Sequence, residues 1–244
     1  MAYPIIIIPA RLAATRLPNK PLADIHGRPM ILYVWQRAVA ADIGRVVVAA
    51  GDREIVDVIT AAGGEAVLTD PALPSGTDRV AAALAAVDAA RRHDVVVNLQ
   101  GDLPNIESDT LRAVVQALAE VPAADITTPA AVITRPEELH TDSVVKIAAE
   151  IATGAKTGRA LYFSRNLIPS GAGDHYHHIG VYAFRRAALE KFMALPVGTL
   201  APRENLEQIR ALAAGMHIEM VLAGQIPQPV DTAADLERVR ELLK

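Results

Sequence analysis

Ile5 to Ile8 is apolar without alternation and stops at Pro9, the pattern of a strand buried on both faces of a parallel sheet. Arg45-Val46-Val47-Val48-Ala49-Ala50 and Val95-Val96-Val97-Asn98-Leu99 repeat that pattern. Between these runs, Pro29 to Ala41, Glu54 to Ala62 and Asp78 to Ala90 carry helical spacing, the last two rich in alanine and ending in glycine or basic residues. Strand alternating with helix predicts right-handed βαβ units and a parallel sheet covered on both faces. Leu32, Trp35 and Val39 fall at helical spacing and are expected in the core, and Arg91-Arg92 is expected at a helix C-terminus, where cations favour the dipole.

After about residue 125 the pattern changes. Ile126 to Ile133, Val144 to Ala149, Leu161 to Phe163 and Ile179 to Phe184 read as shorter strands separated by turn-rich segments. One of these, Gly154-Ala155-Lys156-Thr157, lacks the full spacing of a phosphate loop and is expected to be a hairpin turn. The stretch from about 126 to 200 is therefore an inserted, partly antiparallel subdomain. Helices return at Arg186 to Ala194 and Glu204 to Ala214, followed by a strand at His217 to Ala223 and a helix from Ala233 to Leu243 with Thr232 as N-cap. Without an internal repeat or a sharp linker, residues 1–244 read as a single α/β domain carrying that insertion.

Length and composition narrow the function. The chain has 244 residues, 51% hydrophobic and 21% charged, which is globular composition with a sizeable core. A formal charge of −4 gives no general field favouring nucleic acid or an anionic membrane, so a phosphate site must be local. The lack of cysteine excludes a disulfide scaffold, a thiolate nucleophile and a Cys-based zinc site. The isoleucine run is too short for a signal peptide and no stretch reaches about 18 apolar residues, so no membrane span is expected and a soluble cytoplasmic protein is the natural reading. His175, His177 and His178 do not form a metal set in a strand, because the first two share a face and the third points away.

Parallel α/β sheets bind ligands beyond the carboxyl ends of their strands. The loop after Ile8 places Arg11, Arg16 and Lys20 among small residues, which let a backbone approach a polyphosphate while the cations bind it. Composition alone favours an ordinary solvated basic loop, because basic loops are common. Gln100-Gly101-Asp102 puts a carboxylate at the end of an apolar strand, where it must be solvated, paired or bound to metal. Mg²⁺ would use such a group, and a turn or helix-cap role would too. Taken together, the two loops point to phosphate and metal.

The same segments resemble the 3-deoxy-manno-octulosonate cytidylyltransferase (CMP-Kdo synthetase) family. The resemblance rests on Pro9-Ala10-Arg11 with Thr15-Arg16-Leu17-Pro18, Lys20-Pro21-Leu22 and Gly27-Arg28-Pro29-Met30, and it continues along nearly the whole chain. Ser75-Gly76-Thr77-Asp78-Arg79, Asn98-Leu99-Gln100-Gly101-Asp102, and Leu161-Tyr162-Phe163-Ser164-Arg165 with Ile168-Pro169 follow in order. His178-Ile179-Gly180-Val181-Tyr182, Leu206-Glu207-Gln208-Ile209-Arg210, and Val230-Asp231-Thr232 with Asp235-Leu236 complete the set, and ordered matches are far more specific than any single one.

The resemblance implies a Rossmann-like, mostly parallel sheet of the nucleotide-diphospho-sugar transferase type, with a smaller mixed or antiparallel subdomain for sugar binding and dimerisation. It implies CTP and Kdo as substrates, CMP-Kdo and pyrophosphate as products, Mg²⁺ as cofactor, a homodimer, and a place in lipopolysaccharide assembly. By the same resemblance Arg11, Arg16 and Lys20 bind the triphosphate, Arg79 and Gln100 help to hold the nucleotide, and Asp102 and Asp231 bind Mg²⁺. Lys20, Arg16 and Asp102 are the catalytic set, and Arg165, His178, Tyr182, Glu207 and Gln208 meet the sugar acid. Leu103-Pro104 stands where the family often has Glu-Pro, and Ala233 replaces the usual proline of the VDTPEDL segment. Ser170 to Tyr176 matches the family poorly. The rival readings are a CMP-sialate-type or other sugar nucleotidyltransferase, whose first loops are richer in glycine, and a non-catalytic nucleotide-binding module.

Overall fold

A computed structural model describes residues 3–13 and 16–244; Met1, Ala2, Ala14 and Thr15, the last belonging to the first-loop motif, lie outside the described residues. In chain order come β1 (Pro4–Ala10), a 3-10 turn at Lys20–Leu22, β2 (Asp24–Ile25), β3 (Arg28–Pro29), α1 (Met30–Ala41), β4 (Arg45–Ala50), α2 (Arg53–Ala61), β5 (Glu65–Leu68), α3 (Gly76–Val87), β6 (Val95–Leu99) and α4 (Ser108–Glu120). There follow β7 (Ile126–Val132), a 3-10 turn at Pro136–His140, β8 (Lys146–Ile151), β9 (Thr157–Ser164), β10 (Tyr176–His178), β11 (Val181–Arg185), α5 (Arg186–Ala194), α6 (Leu200–Glu204), α7 (Ile209–Ala213), β12 (Ile218–Leu222) and α8 (Ala233–Leu242). Two compact units result: Met1–Arg112 with Pro227–Lys244, and Ala113–Ile226, which contains the strand-rich stretch 126–200. Among the described residues no helix is long and apolar enough to cross a membrane.

In the first unit the strand order is β6-β1-β4-β5, all parallel, with Ile5 beside Val96, Ile7 beside Val47 and Val48 beside Ala66. Ile5 to Ile8, Val96 and Val97 are fully buried, as their unalternating pattern requires. A two-residue turn joins β2 to β3, with His26 and Gly27 both at positive φ (49° and 79°), the twist that suits a tight hairpin. Helix α1 lies as expected, but its buried stripe is Met30, Ile31, Val34, Ala38 and Ala41. Leu32 and Trp35 are only half-buried and Val39 is exposed, so the core face is turned from the expected one. Helix α3 stops at Val87, before Arg91-Arg92; the Asp88 carboxylate accepts from the amides of Arg92 and His93 instead, turning the chain out of the helix.

In the second unit β7 is central. It pairs in parallel with β12 on one edge, and antiparallel with β11 and then β10 on the other. Strand β10 also pairs with β8, β8 with β9 and β9 with β12, so β7-β12-β9-β8-β10 closes a ring. The β8–β9 hairpin turns through Gly154 at φ +78°, as its composition predicts. Of the helix expected over 204–214, only α7 is helical beyond Glu204, where α6 ends. Asn205, at φ 53°, ends α6 in a left-handed conformation and leaves Glu207 and Gln208 in the link before α7.

The four-isoleucine strand carries the first unit's core. Ile7→Ala is expected to cost about 3 kcal/mol, by lost transfer free energy plus a cavity closed in on both faces. Urea denaturation checks this, and a loss below roughly 1 kcal/mol would contradict a doubly buried strand.

Candidate active site

Strands β1 and β6 run side by side, with Ile7 level with Asn98, so the first loop and Gln100-Gly101-Asp102 leave the same edge of the sheet. They approach closely. A Cβ on Gly101 would lie 2.8 Å from the Pro9 carbonyl oxygen, so only glycine fits there. The first loop is tied at both ends: the Leu12 amide donates to Asp52 Oδ2 at 2.7 Å and the Asn19 amide to the Leu12 carbonyl at 3.2 Å. A third segment joins them when the Val230 amide donates to the Asp102 carbonyl at 3.0 Å, setting Asp231 beside Asp102. Val230 is held by a buried cluster with Ile25, Met30, Leu236 and Val239, against which Leu17 packs from the first loop.

At this junction Lys20 Nζ lies 2.9 Å from Asp102 Oδ2 and 3.0 Å from Asp231 Oδ1, while Arg16 Nη2 lies 3.2 Å from Asp231 Oδ2. Burial works against the Lys20 charge, but the two carboxylates outweigh it and its pKa stands above the ordinary lysine value. The ammonium is therefore a fixed positive charge at any physiological pH. Asp231 is fixed in turn, because the Asp235 carboxylate accepts from the Asp231 and Thr232 amides at 3.3 and 2.9 Å while Thr232 caps α8 reciprocally. With Ala233 in place of the proline, the capping box still starts the helix.

These side chains line a cavity of about 320 Å³, together with Arg11, Arg79 and Gln100. Arg11 is exposed and reaches the Leu73 carbonyl at 3.5 Å. Arg79 is 2% exposed, and its guanidinium donates to the Thr69 hydroxyl and the Asp70 and Pro71 carbonyls at 2.5, 3.1 and 3.4 Å. It thus shapes the loop before α3 from within, and burial followed by repulsion from Arg11 lowers its pKa. Gln100 Nε2 donates to Asn98 Oδ1 at 2.9 Å, and Asn98 donates on to Thr77 Oγ1 at 3.1 Å. A Cβ on Gly76 would come within 3.2 Å of Gln100 Oε1, and Ser75 caps α3 by accepting from the Asp78 amide at 3.1 Å.

The second unit carries the other expected residues. His178 is buried edge-on to Phe163, at 5.2 Å between ring centroids, and 5.4 Å from Tyr182. The Thr128 hydroxyl donates to the Val181 carbonyl at 2.7 Å, which leaves its oxygen to accept from His178 Nε2 at 2.9 Å. His178 is therefore a neutral, Nε2-protonated imidazole, and burial pushes its pKa down to about 3. Burial, then the charge of Glu207, raises the Tyr182 phenol well above its ordinary value. Gln208 is 5% exposed and its Nε2 has no hydrogen-bond partner, a buried donor suited to a ligand oxygen.

Arg165 uses Nε, Nη1 and Nη2 once each, toward the carbonyls of Glu204, Asp142 and Asn205 at 3.1, 2.8 and 3.4 Å. Of the five guanidinium N–H groups one remains on each terminal nitrogen, free to donate to a ligand oxygen. The neighbouring histidines are structural here: His177 Nδ1 pairs with the buried Glu138 carboxylate at 3.0 Å, and His175 Nδ1 contacts the Ile168 carbonyl at 3.2 Å. Glu138 is a carboxylate partner that local sequence did not reveal. Even so, no group of three or more metal-ligating side chains converges among the described residues.

Several positioning residues escaped sequence reasoning. Asp52 and Glu204, whose carboxylate receives the Tyr162 and Ser164 hydroxyls at 3.2 and 3.0 Å, act across long sequence separations, and Asn98, matched only as part of a motif, orients Gln100 two residues on. Asp235 had a local signal, since it stands three residues after Thr232 in capping-box spacing.

A family model described as cytidylyltransferase matches residues 5–218. Relatives named 3-deoxy-manno-octulosonate cytidylyltransferase include one from Rhodospirillum centenum, 60% identical over 98% of this chain and 93% of its own, and one from Paramagnetospirillum magneticum, 54% identical over 99% and 98%. A solved structure of CMP:2-keto-3-deoxy-manno-octonic acid synthetase complexed with CTP superposes with a TM-score of 0.91 at 35% identity, covering 99% of this chain and 98% of that one.

Buried neutral His178 makes the fold acid-sensitive. The unfolded chain takes a proton at its ordinary value of 6.5 and the folded one only near pH 3, so stability is complete above pH 6.5 and declines as pH falls toward 3. By linkage the loss at pH 5 is roughly 2 kcal/mol. Denaturant midpoints from pH 7 to 5 should fall less steeply in His178→Gln than in the wild type, and parallel curves would show that His178 is not held neutral.

Proposed function

The chain belongs to the 3-deoxy-manno-octulosonate cytidylyltransferase family, and from that premise we propose that it couples Kdo to CTP, forming CMP-Kdo and releasing pyrophosphate. The observation that carries this reading is the Lys20 ammonium between Asp102 and Asp231, with Arg16 alongside, in one cavity at the strand ends. The anomeric hydroxyl of Kdo attacks the α-phosphorus of CTP, a new phosphorus–oxygen bond forms, the bond to the β-phosphate bridge breaks, and the hydroxyl proton is released.

Arg11, Arg16 and Lys20 neutralise the triphosphate and the pyrophosphate that leaves. Gln100 is oriented by Asn98 to meet the nucleotide, and Arg79 maintains the loop that carries Ser75 and Gly76 past it. Asp102 and Asp231 are the residues that would hold Mg²⁺. Their carboxylates already converge on a single cationic centre, and two hard oxygen donors leave the remaining positions to water and substrate phosphate, as this ion prefers. Bound there, the ion would supply charge neutralisation at the phosphate and a lower pKa for the attacking hydroxyl.

The sugar acid falls to Arg165, His178, Tyr182, Glu207 and Gln208. Two unused N–H groups on Arg165 fit a carboxylate, and a neutral imidazole, a phenol and an orphan amide donor fit hydroxyl groups. Positioning carries much of the rate, with no protein nucleophile. The protein acts as a cytoplasmic homodimer supplying lipopolysaccharide assembly, its contact in the strand-rich stretch 126–200.

Asp102→Asn should fold normally and lower kcat by about a hundredfold or more, as loss of a ligand charge at a phosphoryl-transfer site does. Arg165→Lys should raise KM for Kdo while leaving KM for CTP nearly unchanged, because an ammonium cannot reproduce bidentate geometry. Near-normal turnover in the first variant, or equal weakening of both substrates in the second, would overturn these assignments.

A further inference from the structure

We propose that Lys146 is a positioning residue for the sugar acid, acting through Arg165 by fixing the turn that braces its guanidinium. The inference rests on the reading of Arg165 as the partner of the substrate carboxylate. Lys146 opens β8 and is fully buried, an expensive place for a charge. Its ammonium has three N–H donors, and they go to the carbonyls of Thr141, Val144 and Arg165 at 2.9, 3.0 and 2.7 Å. Charge-assisted bonds to three backbone oxygens offset the desolvation, and a compact ammonium on a long stem suits such a tripod better than a planar guanidinium.

Two of those carbonyls belong to the turn that leads into β8, and the third is the backbone of Arg165 itself. The same turn supplies the Asp142 carbonyl that accepts Arg165 Nη1 at 2.8 Å. Lys146 therefore holds together the base of the arginine and the group that aims its tip. The other brace, the Glu204 and Asn205 carbonyls at the end of α6, acts on Nε and Nη2. Removing the ammonium would leave three carbonyls without their donors, let the 141–145 turn separate from residue 165, and free Nη1 from its anchor. A bidentate grip on a carboxylate tolerates only about 10–20° of misdirection, so affinity for the acid falls while Arg165 itself remains.

The test is a double-mutant cycle in the full-length enzyme, reading KM for Kdo and for CTP separately. Lys146→Gln should raise KM for Kdo about tenfold and leave KM for CTP within about twofold, which loss of folding alone would not do. In an Arg165→Ala background the same substitution should add nothing further to KM for Kdo. Should Lys146→Gln fail to fold, Lys146→Arg decides: it keeps the charge but displaces the donors, and a smaller rise confined to Kdo is expected. Unchanged KM for Kdo in a folded Lys146 variant, a parallel rise for CTP, or additive effects with Arg165→Ala would overturn the proposal. If Arg165→Ala alone leaves KM for Kdo unchanged, the reading of Arg165 fails instead.

Discussion

The contact on which the cavity at the strand ends depends is the Lys20 ammonium shared by Asp102 and Asp231. Three stretches of chain separated by more than eighty residues meet at one nitrogen. None of the three groups could be so placed alone, because a half-buried charge without a partner is costly and a pair with one member missing is worse. The hydrophobic core carries the cost of assembly. Burial of Ile5 to Ile8 and Val95 to Leu99 sets two strand ends side by side, and the cluster of Ile25, Met30, Val230 and Leu236 brings the last segment home. Backbone bonds then set the fine register, above all Val230 to Asp102.

The two units meet different chemical demands. In the first, Arg11, Arg16, Lys20 and Arg79 outnumber Asp102 and Asp231 around a polar cavity, and that cationic excess suits a polyphosphate whose charge is redistributed as a phosphorus–oxygen bond breaks. In the second, three of the groups assigned to the sugar are neutral at physiological pH beside the charged Arg165 and Glu207: burial keeps a proton off His178 and on Tyr182, and Gln208 presents an unused donor. Neutral, buried hydrogen-bonding groups discriminate strongly, since a ligand lacking the matching hydroxyl leaves them unpaired.

Much of this was legible in the chain. Doubly buried strands announce themselves by failing to alternate, and the loops after them carried the charged residues that the structure gathers. Arg16, Lys20, Asp102 and Asp231 meet directly, while Arg11, Arg79 and Gln100 line the same cavity. The face of α1 was not legible, because Leu32, Trp35 and Val39 satisfy helical spacing as well as the true stripe does; only the packing decides. Helix α4 escaped although Leu111, Val114 and Leu118 are spaced for one buried face. The break at Asn205 turns on a single left-handed residue. Lys146 was hidden because a lysine beside apolar residues reads as a solvated position, and its acceptors are carbonyls, which no sequence pattern records.

The most direct measurement of the central claim is pyrophosphate release from CTP with Mg²⁺ in parallel wells containing Kdo, N-acetylneuraminate or glucose 1-phosphate. Release with Kdo alone, abolished by chelator, is the result this account predicts. Release with either other acceptor and not with Kdo would retain the phosphate site and discard the sugar assignments, and silence in every well would contradict the account as a whole.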